Sequence, residues 1–168
     1  MFLQLMYGKS DYFTCYMNNQ IYLDHTKMQL DKLDECIVEA QLARYLKLHI
    51  EGIIDALTAC NLQENEYTEP FRNKMQNGYQ QGRDGDVWLQ YAPGWMDHLF
   101  GNGKQGTTHG SAYPYDAQVP LYWYGWNINA GSTIREIHIT DIAPTLSYLL
   151  NIGIPNGCTG KPIIELIK

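Results

Sequence analysis

Basic residues are scarce in this 168-residue chain: 12 Lys and Arg stand against 18 Asp and Glu, a formal charge of −6. Binding a nucleic-acid backbone needs clustered cations, and the few present are scattered, so a nucleic-acid partner is excluded. Long apolar runs are missing as well. None approaches the roughly 20 residues of a membrane-spanning helix. The opening Met1-Phe2-Leu3-Gln4-Leu5-Met6 carries no basic flank and is too short for a secretory leader. Cysteine is sparse, and Cys15, Cys36, Cys60 and Cys158 form neither a C-x-x-C pair nor a zinc-finger spacing. Their even number permits disulfides, while buried free thiols fit as well.

What is present fits a globular protein. Hydrophobic residues make up 45% and charged residues 18%, enough for a buried core in a single domain. The 13 Tyr and 4 Trp suit a core or a sugar or nucleotide site equally. Residues 11–23 read as a β-hairpin around Asn18-Asn19, a pair that tolerates tight-turn conformations. Leu30, Leu33, Ile37, Ala40, Leu42 and Leu46 recur at helical steps, predicting one helix over residues 27–48. Gly52 breaks it, and residues 53–59 read as a buried strand. A helix follows over 68–79, with Pro70 in its first turn, then a strand over 87–91. Residues 119–124 and 135–139 carry strand patterns, and a helix capped by Thr140-Asp141 runs to about Leu150. Alternating strands and helices predict an α/β arrangement.

The irregular segment 95–118 concentrates the chemistry, because long loops inside compact domains are often functional. It holds Gly106-Thr107-Thr108-His109-Gly110-Ser111 directly before the strand-like run 119–124. Imidazole is the commonest metal ligand. Glycine neighbours let the backbone pass close to another group, and the small hydroxyl residues supply hydrogen bonds. Asp116 reads first as a turn aspartate, and second as a carboxylate that orients the loop or His109. Asp97, His98, His109 and Asp116 could in principle share a zinc ion, though no spacing enforces it. His25 and His138 read as structural or exposed, and His49 as a helix C-terminal cation. Thr107, Thr108 and Ser111 shape the loop, since a hydroxyl nucleophile needs an adjacent base or metal. Asp141 reads as a helix cap. Gly82-Arg83-Asp84-Gly85 lacks the Gly-Lys-Ser/Thr ending of a phosphate-binding loop.

Read in order, Gly106-Thr-Thr-His-Gly-Ser111, Tyr115-Asp116, Val119-Pro120-Leu121 and Tyr124-Gly125 resemble the C-terminal metal-binding segment of the alkaline phosphatase superfamily. Thr140-Asp141-Ile142-Ala143-Pro144-Thr145-Leu146, Leu149-Leu150 and Pro155 resemble its last strand and helix. Gly157 and Gly160-Lys161-Pro162 resemble its closing turn. The likeness is to the branch of bacterial alkaline phosphatases with a threonine nucleophile, related to type I phosphodiesterases and nucleotide pyrophosphatases. Gln118 departs from the family, which often has histidine there, and is not carried over as a ligand.

The resemblance implies the C-terminal part of an α/β/α sandwich, with residues 1–168 forming one partial domain. It implies His109 as one ligand of a two-zinc site that cleaves phosphate monoesters. The nucleophile and remaining ligands would lie in a missing N-terminal segment, leaving this chain inactive alone. The implied setting of the parent protein is periplasmic or secreted. A phosphodiesterase or a sulfatase shares the ligand set, and a non-catalytic module that kept the scaffold is the alternative of another class.

Overall fold

The computed structural model describes residues 2–96, 109–125 and 127–166, which fall into two compact units, Met1–Val119 and Pro120–Lys168. In the first, helix α1 (Phe2–Tyr7) precedes a hairpin of β1 (Phe13–Met17) and β2 (Gln20–Leu23). Asn18 and Asn19 adopt φ of 52° and 61°, the left-handed pair that a two-residue hairpin turn of type I′ requires. Met17 pairs with Gln20 across it. The predicted hairpin is present.

The helix expected over residues 27–48 is instead two helices, α2 (His25–Leu30) and α3 (Glu35–His49). Side-chain caps win over continuity. Asp24 accepts the Lys27 amide at 3.0 Å and Asp34 accepts the Ile37 amide at 3.1 Å, each satisfying a first-turn donor that would otherwise lack a partner. Between them Lys32 takes φ of 56°, and the Lys32 and Leu33 amides close the end of α2 onto Gln29 and Met28. The break resets the helical phase. Of the residues in the predicted helical series Leu30 and Ile37 are exposed and Leu42 is buried, while Val38, Glu39 and Ala43 join Leu42 on the inward face.

Strand β3 (Ile53–Thr58) runs into α4 (Ala59–Glu64), which the Thr58 hydroxyl caps. Helix α5 (Pro70–Gly78) starts with its proline where no amide is needed, under a Glu69 cap. Strand β4 (Val87–Tyr91) then pairs antiparallel with both β2 and β3, giving the order β1-β2-β4-β3. Helix α3 packs on β3. Ile21, Val38, Leu42, Ala56, Val87 and Leu89 meet in the main core, while Leu57, Leu62 and Met75 form a smaller cluster against Trp88 and Phe71. A Cys36–Cys60 disulfide staples the start of α3 to α4. The predicted strands at 53–59 and 87–91 and the helix near 68–79 are all found.

Two expected strands are not. Residues 119–124 belong to no strand, and Val119 and Tyr124 are 75% and 103% exposed. A strand needs a neighbour for its amides and carbonyls, and this stretch enters no ladder among the described residues. The strand expected there is therefore corrected. Residues 135–139 are likewise not a strand. Arg135 there forks onto Glu165 at 2.7 and 2.8 Å, and the chain passes through a 3₁₀ turn at Ile139–Asp141 into α6 (Ile142–Leu149).

The second unit is pinned by polar groups. Asp141 accepts the His138 amide at 3.1 Å and the Lys161 amide at 2.8 Å, and these two bonds hold its carboxyl below the usual carboxylate range. It is the N-cap residue of α6, as expected, but its carboxylate makes no cap bond to that helix and instead clasps the start of the helix to the closing turn. Buried Thr145 extends that clasp. Its hydroxyl donates to the Asp141 carbonyl at 2.5 Å and accepts the Ile163 amide at 2.9 Å. Gly160 makes the approach possible, because a β-carbon there would stand 2.0 Å from the Thr140 carbonyl oxygen.

Candidate functional site

His109 sits outside helix and strand and is exposed. Gly110 beside it takes φ of 109°, a backbone state that side chains with a β-carbon resist. Among the described residues nothing lies within 4 Å of where a Gly110 β-carbon would be. Asp97, His98, Thr107 and Thr108 lie outside the described residues.

After Gly110 the chain folds onto itself. Asp116 Oδ2 accepts both the Ser111 amide at 3.1 Å and the Ser111 hydroxyl at 2.6 Å. A short four-residue helix, Pro114–Ala117, carries Asp116 and has Gln118 as its C-cap. Asp116 thus orders the segment that begins two residues after His109. Ser111 is its donor, which fits the loop-shaping role expected of that hydroxyl.

The segment is fixed to the scaffold through aromatic rings. The Tyr113 hydroxyl donates to the Tyr91 carbonyl at 3.0 Å, at the end of β4. Its ring lies 5.8 Å from that of Phe71 on α5 and stacks on Tyr115 at 5.4 Å. Sequence reasoning missed Tyr113, since its partners come from two distant elements and no motif joins them.

Among the described residues no group of three or more His, Cys, Asp or Glu side chains could hold a metal ion. His109 is an exposed residue, and a carboxylate-ordered segment follows it. That fits a single contributed ligand, because a catalytic zinc takes about three protein ligands drawn from several places in a fold.

A second polar cluster was not visible in the sequence. His25, read as structural or exposed, bridges two carboxylates, with Nδ1 2.8 Å from Glu35 and Nε2 2.8 Å from Asp86. Partial burial works against its charge, but Glu35 and Asp86 outweigh it and raise its hold on a proton. Asp86 is buried and also accepts the Leu23 amide at 2.6 Å. Glu39, 2% exposed, accepts the Cys60 amide, and burial pushes its carboxyl up to about 7. The cluster ties Leu23 of β2, His25 of α2 and Glu35 of α3 to Asp86, the residue before β4, and Glu39 of α3 to Cys60 of α4. His49 ends α3 as expected, tilted against Tyr45 at 4.5 Å.

The chain is similar to known proteins along nearly its whole length. The alkaline phosphatase PafA of Elizabethkingia meningoseptica is 33% identical over 165 residues, 98% of this chain and 30% of the relative. A protein named calcium-transporting ATPase from Myroides odoratus is 34% identical, over 96% of this chain and 29% of its own length. The alkaline phosphatase PhoV of Synechococcus elongatus is 34% identical, over 90% of this chain and 27% of its length. The crystal structure of wild-type PafA superposes with a TM-score of 0.87 at 33% identity, covering 99% of this chain and 31% of that one. The chain thus spans less than a third of these relatives. No family model matches the sequence.

Proposed function

We propose that this chain, which belongs to the alkaline phosphatase superfamily, contributes His109 as one metal ligand to a zinc-dependent phosphatase acting on phosphate monoesters. What supports the reading is that His109 is an exposed residue beside Gly110 and two residues before the Ser111–Asp116 bonds, in the segment that resembles the family's metal-binding loop. Zinc, when bound, clamps phosphoryl oxygens and stabilises the leaving oxygen. The part played by these residues is narrower. His109 must offer an unprotonated nitrogen, so its affinity for metal falls at acid pH. Asp116 keeps the adjoining backbone in one arrangement, and Ser111 serves it as donor. The nucleophile and the other ligands are expected in the portion of the family fold that these residues do not span, so the isolated chain is expected to be inactive. The proposed setting is the periplasm or the cell exterior, where the Cys36–Cys60 bridge would persist.

A graft tests the reading directly. Residues 1–168 replace the matching third of PafA, and bound zinc and hydrolysis of a chromogenic phosphate monoester are measured. His109→Ala is expected to lose zinc and to slow turnover by more than the roughly 10–100-fold typical of an outer partner of a ligand. Asp116→Asn should fall within that range. Full zinc content and an unchanged rate in His109→Ala would overturn the assignment. Zinc-dependent turnover by the isolated chain would show that its own residues complete a site.

A further inference from the structure

We infer that Tyr113 is the positioning residue that fixes the His109 segment to the body of the protein, an inference resting on the ligand role proposed for His109. The segment is ordered within itself by the two bonds from Ser111 to Asp116. Internal order alone would let it swing as a unit, so something must join it to the sheet. Ala112, Tyr113 and Tyr115 each reach out from it to the body of the protein. Lys74 Nζ meets the Ala112 carbonyl at 3.4 Å and the Gly94 amide meets the Tyr115 hydroxyl at 3.5 Å, both long and therefore weak. Tyr113 makes the third, and it is of another kind. Its hydroxyl donates at 3.0 Å to the carbonyl of Tyr91, the last residue of β4. Its ring packs at 5.8 Å on Phe71 of α5 and, almost parallel at 17°, on Tyr115.

One side chain thus fastens the segment to a strand end and a helix at once. Tyrosine suits this role because it offers a large rigid contact with only two side-chain torsions to fix. The reach to His109 is short. Ser111 lies two residues from His109, so their α-carbons stand within roughly 7 Å at full extension. Metal sites need their ligands placed to about 0.5 Å, which a segment swinging on long bonds would not supply.

The test separates positioning from general support. In the 168-residue chain, amide hydrogen exchange of Ser111 is followed by NMR beside that of Ala56 and Leu89 in the sheet. Tyr113→Phe keeps both ring contacts and loses the bond to Tyr91, whereas Tyr113→Leu loses all three. Ser111 exchange is expected to speed up about 10-fold or more in Tyr113→Leu and less in Tyr113→Phe, in line with an outer support of a ligand. Ala56 and Leu89 should be unmoved, and the His109 ring resonances should shift. In the PafA graft, Tyr113→Leu should weaken zinc binding by about 10–100-fold and lower kcat without raising KM, with Tyr113→Phe recovering most of both. Unchanged Ser111 exchange in both variants overturns the inference. So does loss of sheet protection in step with Ser111, because Tyr113 then only supports the fold. If Ser111 responds while the His109→Ala graft keeps its zinc, the clamp stands and the ligand reading falls.

Discussion

Strand β3 and the stretch at residues 119–124 carry the same kind of side chains and meet opposite fates. Leu57 in β3 is 4% exposed, paired with Trp88 across the ladder and packed on Leu62 and Met75. Val119, Tyr122 and Tyr124 lie open and enter no ladder among the described residues. The difference is one of neighbours. β3 has β4 on one edge and α3 on one face, while residues 119–124 have neither. An apolar, β-rich run states a demand for partners, and the rest of the structure decides whether the demand is met. The two units differ in the same sense: the first is held by an apolar core, the second by the polar clasp around Asp141 and Thr145.

The largest expected effect bears on that contrast directly. Leu57→Ala should cost about 2–5 kcal/mol in urea unfolding, by loss of burial and the cavity left behind. Tyr124→Ala should stay within roughly 0.5 kcal/mol, as exposed substitutions do. Equal losses would mean that residues 119–124 are buried in solution and would break the comparison.

The staple comes next. Replacing Cys36 and Cys60 by serine should cost about 2–4 kcal/mol, since the bridge closes a loop of 24 residues in the unfolded chain. Thermal unfolding read at amides of each unit should place this loss in the first unit alone.

Asp141→Ala should cost about 1–3 kcal/mol by leaving the His138 and Lys161 amides without their acceptor. Hydrogen exchange should rise at Lys161 and Ile163 while Leu89 stays protected. A global loss of protection would show that the second unit does not rest on its own polar clasp.

The expected effect of pH runs through His25 and Glu39. His25 has its folded-state pKa raised by Glu35 and Asp86, so its stabilisation is complete below about 6.5 and fades as pH rises through the folded value. Glu39 is raised from 4.5 to about 7 by burial, so the folded state keeps a proton that the unfolded chain gives up. Stability from that source is complete below 4.5 and lost as pH climbs towards 7. The two act in one direction. The urea midpoint of the first unit should fall between about pH 5 and 8, and Glu39→Gln should flatten the decline. A midpoint rising with pH over that window would contradict the burial of Glu39.

Legibility in the sequence followed how local the controlling chemistry is. Asn18-Asn19 marks its own turn, and Pro70 with Gly78 brackets its own helix, so both were readable. The break between α2 and α3 was not, because Asp34 looks like one more charge on a helix face until its carboxylate is seen capping Ile37. The Cys36–Cys60 bridge and the His25–Asp86 contact join residues 24 and 61 positions apart, and no periodicity announces them. His109 is exposed and lies outside helix and strand. Tyr113 stayed hidden for the same reason as His25, its partners being brought in by the fold.

The strand order β1-β2-β4-β3 has a consequence for the timing of folding. The β1–β2 hairpin is local and can close in microseconds. Its inner edge and that of β3 then wait, unpaired, for a strand that lies between them in space and after both in sequence. During synthesis at roughly 5–20 residues per second, residues 87–91 follow β3 only after seconds, a long exposure for two open edges. The disulfide spans residues that have already been made by then. It can hold α3 against α4 and the adjoining end of β3 before β4 arrives. On this schedule the bridge guards a half-built sheet, and removing it should show first as aggregation of newly made chains, before any loss in the finished protein.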